Sequence, residues 1–141
     1  MVAALVLLVA APAFAQDKAC ETNYKQEGGF MSGRRFSTFE TLPDVKPDVA
    51  YKRIYQGGVK SGLTVALADK EMGVINFQQS GAGTTFGGNG QSVSIPWNVS
   101  IEEDGAGSRI TVTKTTPPSY PTSADAQKTM MCGVVDEARN K

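Results

Sequence analysis

The chain has no histidine in its 141 residues, only two cysteines, a single tryptophan and no surplus of either charge, with 14 basic and 14 acidic side chains. Each shortage excludes something. Without histidine the commonest general base and the commonest nitrogen ligand for metals are gone. Ser119, Ser123 and Thr129 therefore cannot belong to a Ser-His-Asp triad. A balanced charge argues against a partner bound through nucleic-acid phosphates. No C-x-x-C spacing marks a redox or zinc pair. A membrane-spanning helix needs about 20 apolar residues, and the apolar run of this chain, Val2 to Ala11, is too short. The sequence thus predicts neither catalytic residues, nor a metal site, nor a cofactor, and so no enzyme.

That apolar run has a different use. It is followed by Pro12 and by Ala13-Phe14-Ala15, the small-x-small pattern that signal peptidase reads. Residues 1–15 are expected to be a secretory signal peptide and residues 16–141 a single domain, although no Lys or Arg precedes the run. The competing reading is a buried N-terminal helix. Cys20 follows Asp17-Lys18-Ala19, not the leucine and two small residues of a lipoprotein attachment site. An exported chain folds where thiols oxidise, so Cys20 and Cys132 are expected to pair. The chain-entropy model gives about 4–5 kcal/mol for a loop of that length. The expected location is periplasmic or secreted.

Along the rest of the chain, residues 16–33 are polar and predict an irregular arm. Arg34 to Thr41 has strand composition with imperfect alternation. Pro47 and Asp48 suit the first turn of a helix. Ala50 and Ile54 continue it, Gly57-Gly58 fit a helix pressed on a sheet or one that breaks early, and Gly62 is a stop. Leu63, Val65 and Leu67 predict one face of a strand. Asp69 to Gly73 is a hairpin connection, and Ile75 and Phe77 share a face of the returning strand. Residues 80–91 are glycine-rich and predict a mobile loop or a long hairpin tip.

The cleanest signal follows. Val93, Ile95, Trp97, Val99 and Ile101 alternate strictly with polar or small residues, which predicts a half-buried strand. Pro96 cannot donate to a ladder and implies an edge position or a bulge. Glu102 to Gly107 is a turn, and Ser108 to Thr115 the partner strand. Ser123 is placed to cap a last helix, with Ala126, Met130, Val134 and Ala138 as an apolar stripe joined by Met131 and Val135. Strands linked by hairpins, with helices to cover one apolar face, predict an α+β fold: a two-layer sandwich with a mostly antiparallel sheet and two helices packed on one face.

Ala50-x-x-Arg53-Ile54, Gly62-Leu63-Thr64-Val65 and Asp69-Lys70-x-x-Gly73-Val74-Ile75 together resemble the helix-grip domains of the bacterial outer-membrane assembly lipoprotein BamC and similar small envelope domains. The likeness covers about residues 50–75 and is one of structural positions. It implies a helix-grip fold and a scaffold or interaction role in the bacterial envelope, and it implies no catalytic residue. The chain departs from it in lacking a lipid-attachment cysteine, in having one domain rather than two, and in carrying the expected disulfide.

Gly81 to Gly87 invites a phosphate-loop reading, but a strand follows and no Gly-Lys-Ser/Thr is present. Thr84, Thr85, Phe86 and Asn89 of this segment are the candidate partner-binding residues. Glu102, Glu103 and Asp104 predict a solvated turn, with weak calcium binding as the alternative. Trp97 is expected in the core; the alternative joins it with Tyr51, Tyr55 and Tyr120 in an aromatic ligand face. Asn98-Val99-Ser100 matches a glycosylation sequon within a strand, and Arg34-Arg35 reads as a solvated strand start. The expected function is non-catalytic binding or scaffolding in the envelope, with an envelope protein or a small ligand as partner and no nucleic acid. The alternatives are a small hydrolase, a hydrolase inhibitor, or a carrier of a small apolar ligand.

Overall fold

The computed structural model of the chain describes residues 18–80 and 93–139. Residues 1–15, expected to be a signal peptide, and the candidate residues Thr84, Thr85, Phe86 and Asn89 lie outside the described residues. The elements run α1 (Ala19–Thr22), β1 (Lys25–Gly29), β2 (Gly33–Leu42), α2 (Pro47–Lys60), β3 (Thr64–Asp69), β4 (Val74–Gln79), β5 (Ile95–Asp104), β6 (Gly107–Thr116) and α3 (Ala124–Arg139). The strands form one antiparallel sheet in the order β1-β2-β6-β5-β4-β3. The α+β class and the antiparallel sheet are as the sequence predicts.

One face of the sheet is apolar, and α2 and α3 cover it. Phe36 of β2, Ile75 and Phe77 of β4, Ile95, Trp97 and Val99 of β5, and Ile110 and Val112 of β6 are buried there. From the helices come Ala50, Ile54, Met131 and Val135. This alternation is the physical basis of the sandwich, because a strand points successive side chains to opposite faces. Pro47 opens α2, and Gly62 follows its end at φ +95°. Ser123 Oγ accepts the Ala126 N–H at 3.1 Å and caps the start of α3.

Five local expectations need correction. Residues 16–33 are not an irregular arm throughout: α1 and β1 form there, and β1 pairs with β2 from Lys25↔Ser37 to Gly29↔Gly33. The alternation of β2 is regular after all, with Phe36, Thr38, Glu40 and Leu42 all buried. It looked imperfect because two of the four inward residues are polar. Leu63, Val65 and Leu67 do not share a face, since β3 shifts register between Val65 and Leu67 and leaves Leu67 exposed. Pro96 sits in an interior strand, not on an edge. It pairs with Gln78 of β4 but precedes the first pair with β6, Trp97↔Lys114, so only one of its flanks carries a ladder. Finally, the buried stripe of α3 is Gln127, Met131, Cys132, Val134, Val135 and Ala138, while Ala126 is exposed and Met130 lies partly exposed at the border of the stripe.

Cys20 and Cys132 form a disulfide, with Cα atoms 5.7 Å apart and a sequence separation of 112. It ties α1 to α3. Beside it Glu40 accepts the backbone N–H of Cys20 at 3.3 Å and forms an ion pair with Arg139. Thr38 Oγ1 donates to the carbonyl of Cys20. Lys18 and Arg139 both pair with Asp136, at 2.6 and 3.1 Å. The polar residues of β2 are thus the fastening of the N-terminal segment and of α3.

Candidate functional site

The glycine pair of α2 sets how closely the helices approach the sheet. A Cβ on Gly58 would stand 2.5 Å from Cζ of Phe77, and one on Gly57 would stand 2.6 Å from the Glu137 side chain of α3. Close contact there leaves room further along. Past the end of α2 a cavity of about 450 Å³ opens between the helices and the sheet. Its apolar walls are Leu63, Trp97, Met130 and Val134. Its polar groups include Gln79, Ser61 and Glu137. Gly133 of α3 also lines it, with nothing within 4 Å of where its Cβ would be. The pocket is open to solvent on one side and its walls mix apolar and polar groups; its volume is in the usual range for a small molecule.

The single tryptophan is the sheet-side wall. Its indole Nε1–H donates to Gln79 Oε1 at 3.1 Å, which fixes the ring plane. Lys114 of β6, its register partner, places Nζ 4.2 Å from the centre of the Trp97 ring. Lys114 is 1% exposed. Among the described residues its ammonium has that ring contact and no ion pair or hydrogen bond. Burial pulls its pKa down from 10.5 to about 8. The sequence reading passed over this residue. The signal was present, because Lys114 follows Ile110 and Val112 at period two on the inward face of the strand.

A second, larger groove of about 920 Å³ runs along the outside of α2, past Tyr51, Tyr55, Lys52, Lys60 and Lys70. Most of these side chains are exposed, so the groove does not take a ligand out of water. Arg53 in it is already engaged, donating to the carbonyl of Ala138 at 2.9 Å.

The other residues singled out in the sequence have local roles. Tyr51 and Tyr55 stack on each other at 6.4 Å in the outer groove, and Tyr120 is buried elsewhere, so the joint aromatic face with Trp97 does not form. Glu102, Glu103 and Asp104 are exposed at the end of β5, where Asp104 accepts from Thr41 Oγ1 at 3.2 Å. Asn98 is exposed on the outer face of β5. Arg34 donates to the carbonyl of Tyr120 at 2.8 Å, and Arg35 pairs with Glu27 at 3.7 Å.

Layout and connectivity can be set beside known proteins. No protein-family model and no curated protein matches the chain. Among solved structures it is similar to the crystal structure of Ara h 8.0201, with a TM-score of 0.53 over 76% of this chain and 95% of that one. The fold is a helix grip. At 15% sequence identity the likeness is one of fold alone. The helix-grip expectation drawn from residues 50–75 is met by this architecture. In this chain the grip is closed by the Cys20–Cys132 disulfide, and its cavity lies between α2, α3 and the indole of Trp97.

Proposed function

We propose that the protein is a non-catalytic carrier or receptor for a small, partly apolar molecule held between the helices and the sheet. The observation that carries this reading is the 450 Å³ cavity against Trp97. Burying a ligand there removes apolar surface from water, at about 25 cal/mol per Å². The polar groups at Gln79, Ser61 and Glu137 give orientation. Of the readings open in the sequence, the small-ligand carrier draws most from the structure. Export is the setting of the proposal: the apolar segment 1–15 supports it as a leader, the disulfide suits an oxidising compartment, and the likeness of residues 50–75 to envelope domains points the same way.

The test is native mass spectrometry of protein purified without organic extraction, together with a titration of Trp97 fluorescence with decanol. A retained small molecule, or a saturable change of the single-tryptophan emission, is the expected result. An empty cavity in the first measurement and no saturation in the second, with decanol or with its carboxylate decanoate, would remove the carrier reading.

A further inference from the structure

A buried lysine without an anionic partner is costly, since removing its ammonium from water is unfavourable unless something replaces the solvent. Lys114 is in that position on the apolar face of the sheet. The other buried charge of β2 and β6, Glu40, has both an ion pair and a backbone donor. Lys114 has only the face of Trp97, and that same indole lines the cavity. A cation–π contact compensates an ammonium for about 0.5–2 kcal/mol, less than a full ion pair in such surroundings requires. Among the described residues no anion meets this ammonium; Lys114 does not itself line the cavity, but the Trp97 ring on which it rests does.

We infer that Lys114 is the anchor for the acidic head group of the ligand, which makes the ligand class an amphipathic carboxylate bound head-inward against Trp97. This rests on the carrier reading given above and adds the head-group chemistry to it. The orientation follows from the charges. Glu137, the cavity's carboxylate, lies against Gly57 on the helix side, and Lys114 is on the sheet side. An anionic head is drawn to the ammonium on the sheet side. To meet it the ammonium has to move past the edge of the Trp97 ring, which its flexible four-carbon stem allows. Apolar substituents then fill the space between Leu63, Met130 and Val134.

Decanoate and decanol, which share a tail and differ in head group, make the test. The wild-type protein is expected to bind decanoate at least tenfold more tightly than decanol by Trp97 fluorescence. Lys114→Met should lower decanoate affinity by tenfold or more and leave decanol within twofold. A measurement on unaltered protein guards against a variant that fails to fold. At pH 9 a large share of Lys114 is uncharged, so decanoate binding should take up close to one proton and decanol binding none, read calorimetrically in buffers of different ionisation enthalpy. The groups around it do not imitate this signal: Glu40 is held by Arg139, and burial pushes the Tyr24 phenol, which stacks on Phe36, up to about 12. Equal affinities for the two probes, or decanoate binding without proton uptake, overturn the role of Lys114 while the carrier reading stands. Failure of both probes, with an empty cavity by native mass spectrometry, overturns the carrier reading itself and this inference with it.

Discussion

Gly58 of α2 lies against the ring of Phe77 of β4, so close that a Cβ would stand 2.5 Å from Cζ and 2.6 Å from Cε1. Its neighbour Gly57 faces a different obstacle, the Glu137 side chain. The two contacts predict opposite signs. Phe77 is fully buried and has no free space to turn into, so Gly58→Ala should destabilise by about 1–3 kcal/mol through overpacking, more than the ~1 kcal/mol gained in helix propensity. Glu137 is half-buried and flexible, so Gly57→Ala should be neutral or stabilising by up to about 1 kcal/mol. Urea denaturation of both variants checks the pair; equal losses would mean that helix–sheet contact at Phe77 does not set the approach.

The disulfide closes a loop of 112 residues. Reduction, or a double Cys20→Ser and Cys132→Ser variant, should cost about 4–5 kcal/mol by constraint of the unfolded chain. The ion pairs around Glu40 and Asp136 stay in the folded state, so the far-ultraviolet circular dichroism of the variant should be unchanged at low temperature. Thiol titration of denatured, unreduced protein should find no free thiol; finding two contradicts the cross-link.

Lys114 and Tyr24 give stability a maximum in alkali. The folded state releases the Lys114 proton near pH 8 and the unfolded state near 10.5. Between those values the unfolded chain binds more protons, so stability rises with pH. Burial pushes Tyr24 from 10.0 to about 12, so above pH 10 the unfolded chain loses that proton first and stability falls. The wild-type Tm should climb from pH 8 to about pH 10 and then decline. Lys114→Met should remove the climb and, at pH 7, exceed the wild-type stability by about 1–3 kcal/mol, because a buried, unpaired charge is gone. Thermal melts at half-unit pH steps decide it.

Gly133 offers a way to close the cavity without disturbing the core. Nothing stands within 4 Å of its Cβ position, and it lines the cavity from α3. Gly133→Phe should fill the space and abolish decanol binding. Stability should hold or rise by a few tenths of a kcal/mol, since glycine is among the poorest helix formers. Undiminished binding would place the ligand elsewhere, with the outer groove beside Tyr51 and Tyr55 as the next location to test.

Much of this was legible residue by residue. The alternation from Val93 to Ile101, the proline at the start of α2, the left-handed Gly73 at φ +67° and the cap at Ser123 are local signals, and local physics made them. Where the reading went astray, the deciding contact was distant in sequence. Thr38 and Glu40 blurred the pattern of β2 because the partners that allow their burial, Cys20 and Arg139, come from α1 and α3. The stripe on α3 is turned toward Gln127 and away from Met130, and the Thr122 hydroxyl accepts from the Gln127 amide at 2.8 Å, which meets part of the cost of burying it.

From the sequence alone came the α+β class, the helices over one apolar face and the pairing of the two cysteines, because periodicity, turn chemistry and composition act between near neighbours or through chain connectivity. The cavity, the isolation of Lys114 over Trp97 and the outward turn of Leu67 were decided only in three dimensions. They depend on how far two glycines let α2 descend onto Phe77 and on which strands become neighbours, and neither distance is written in any local stretch of the chain.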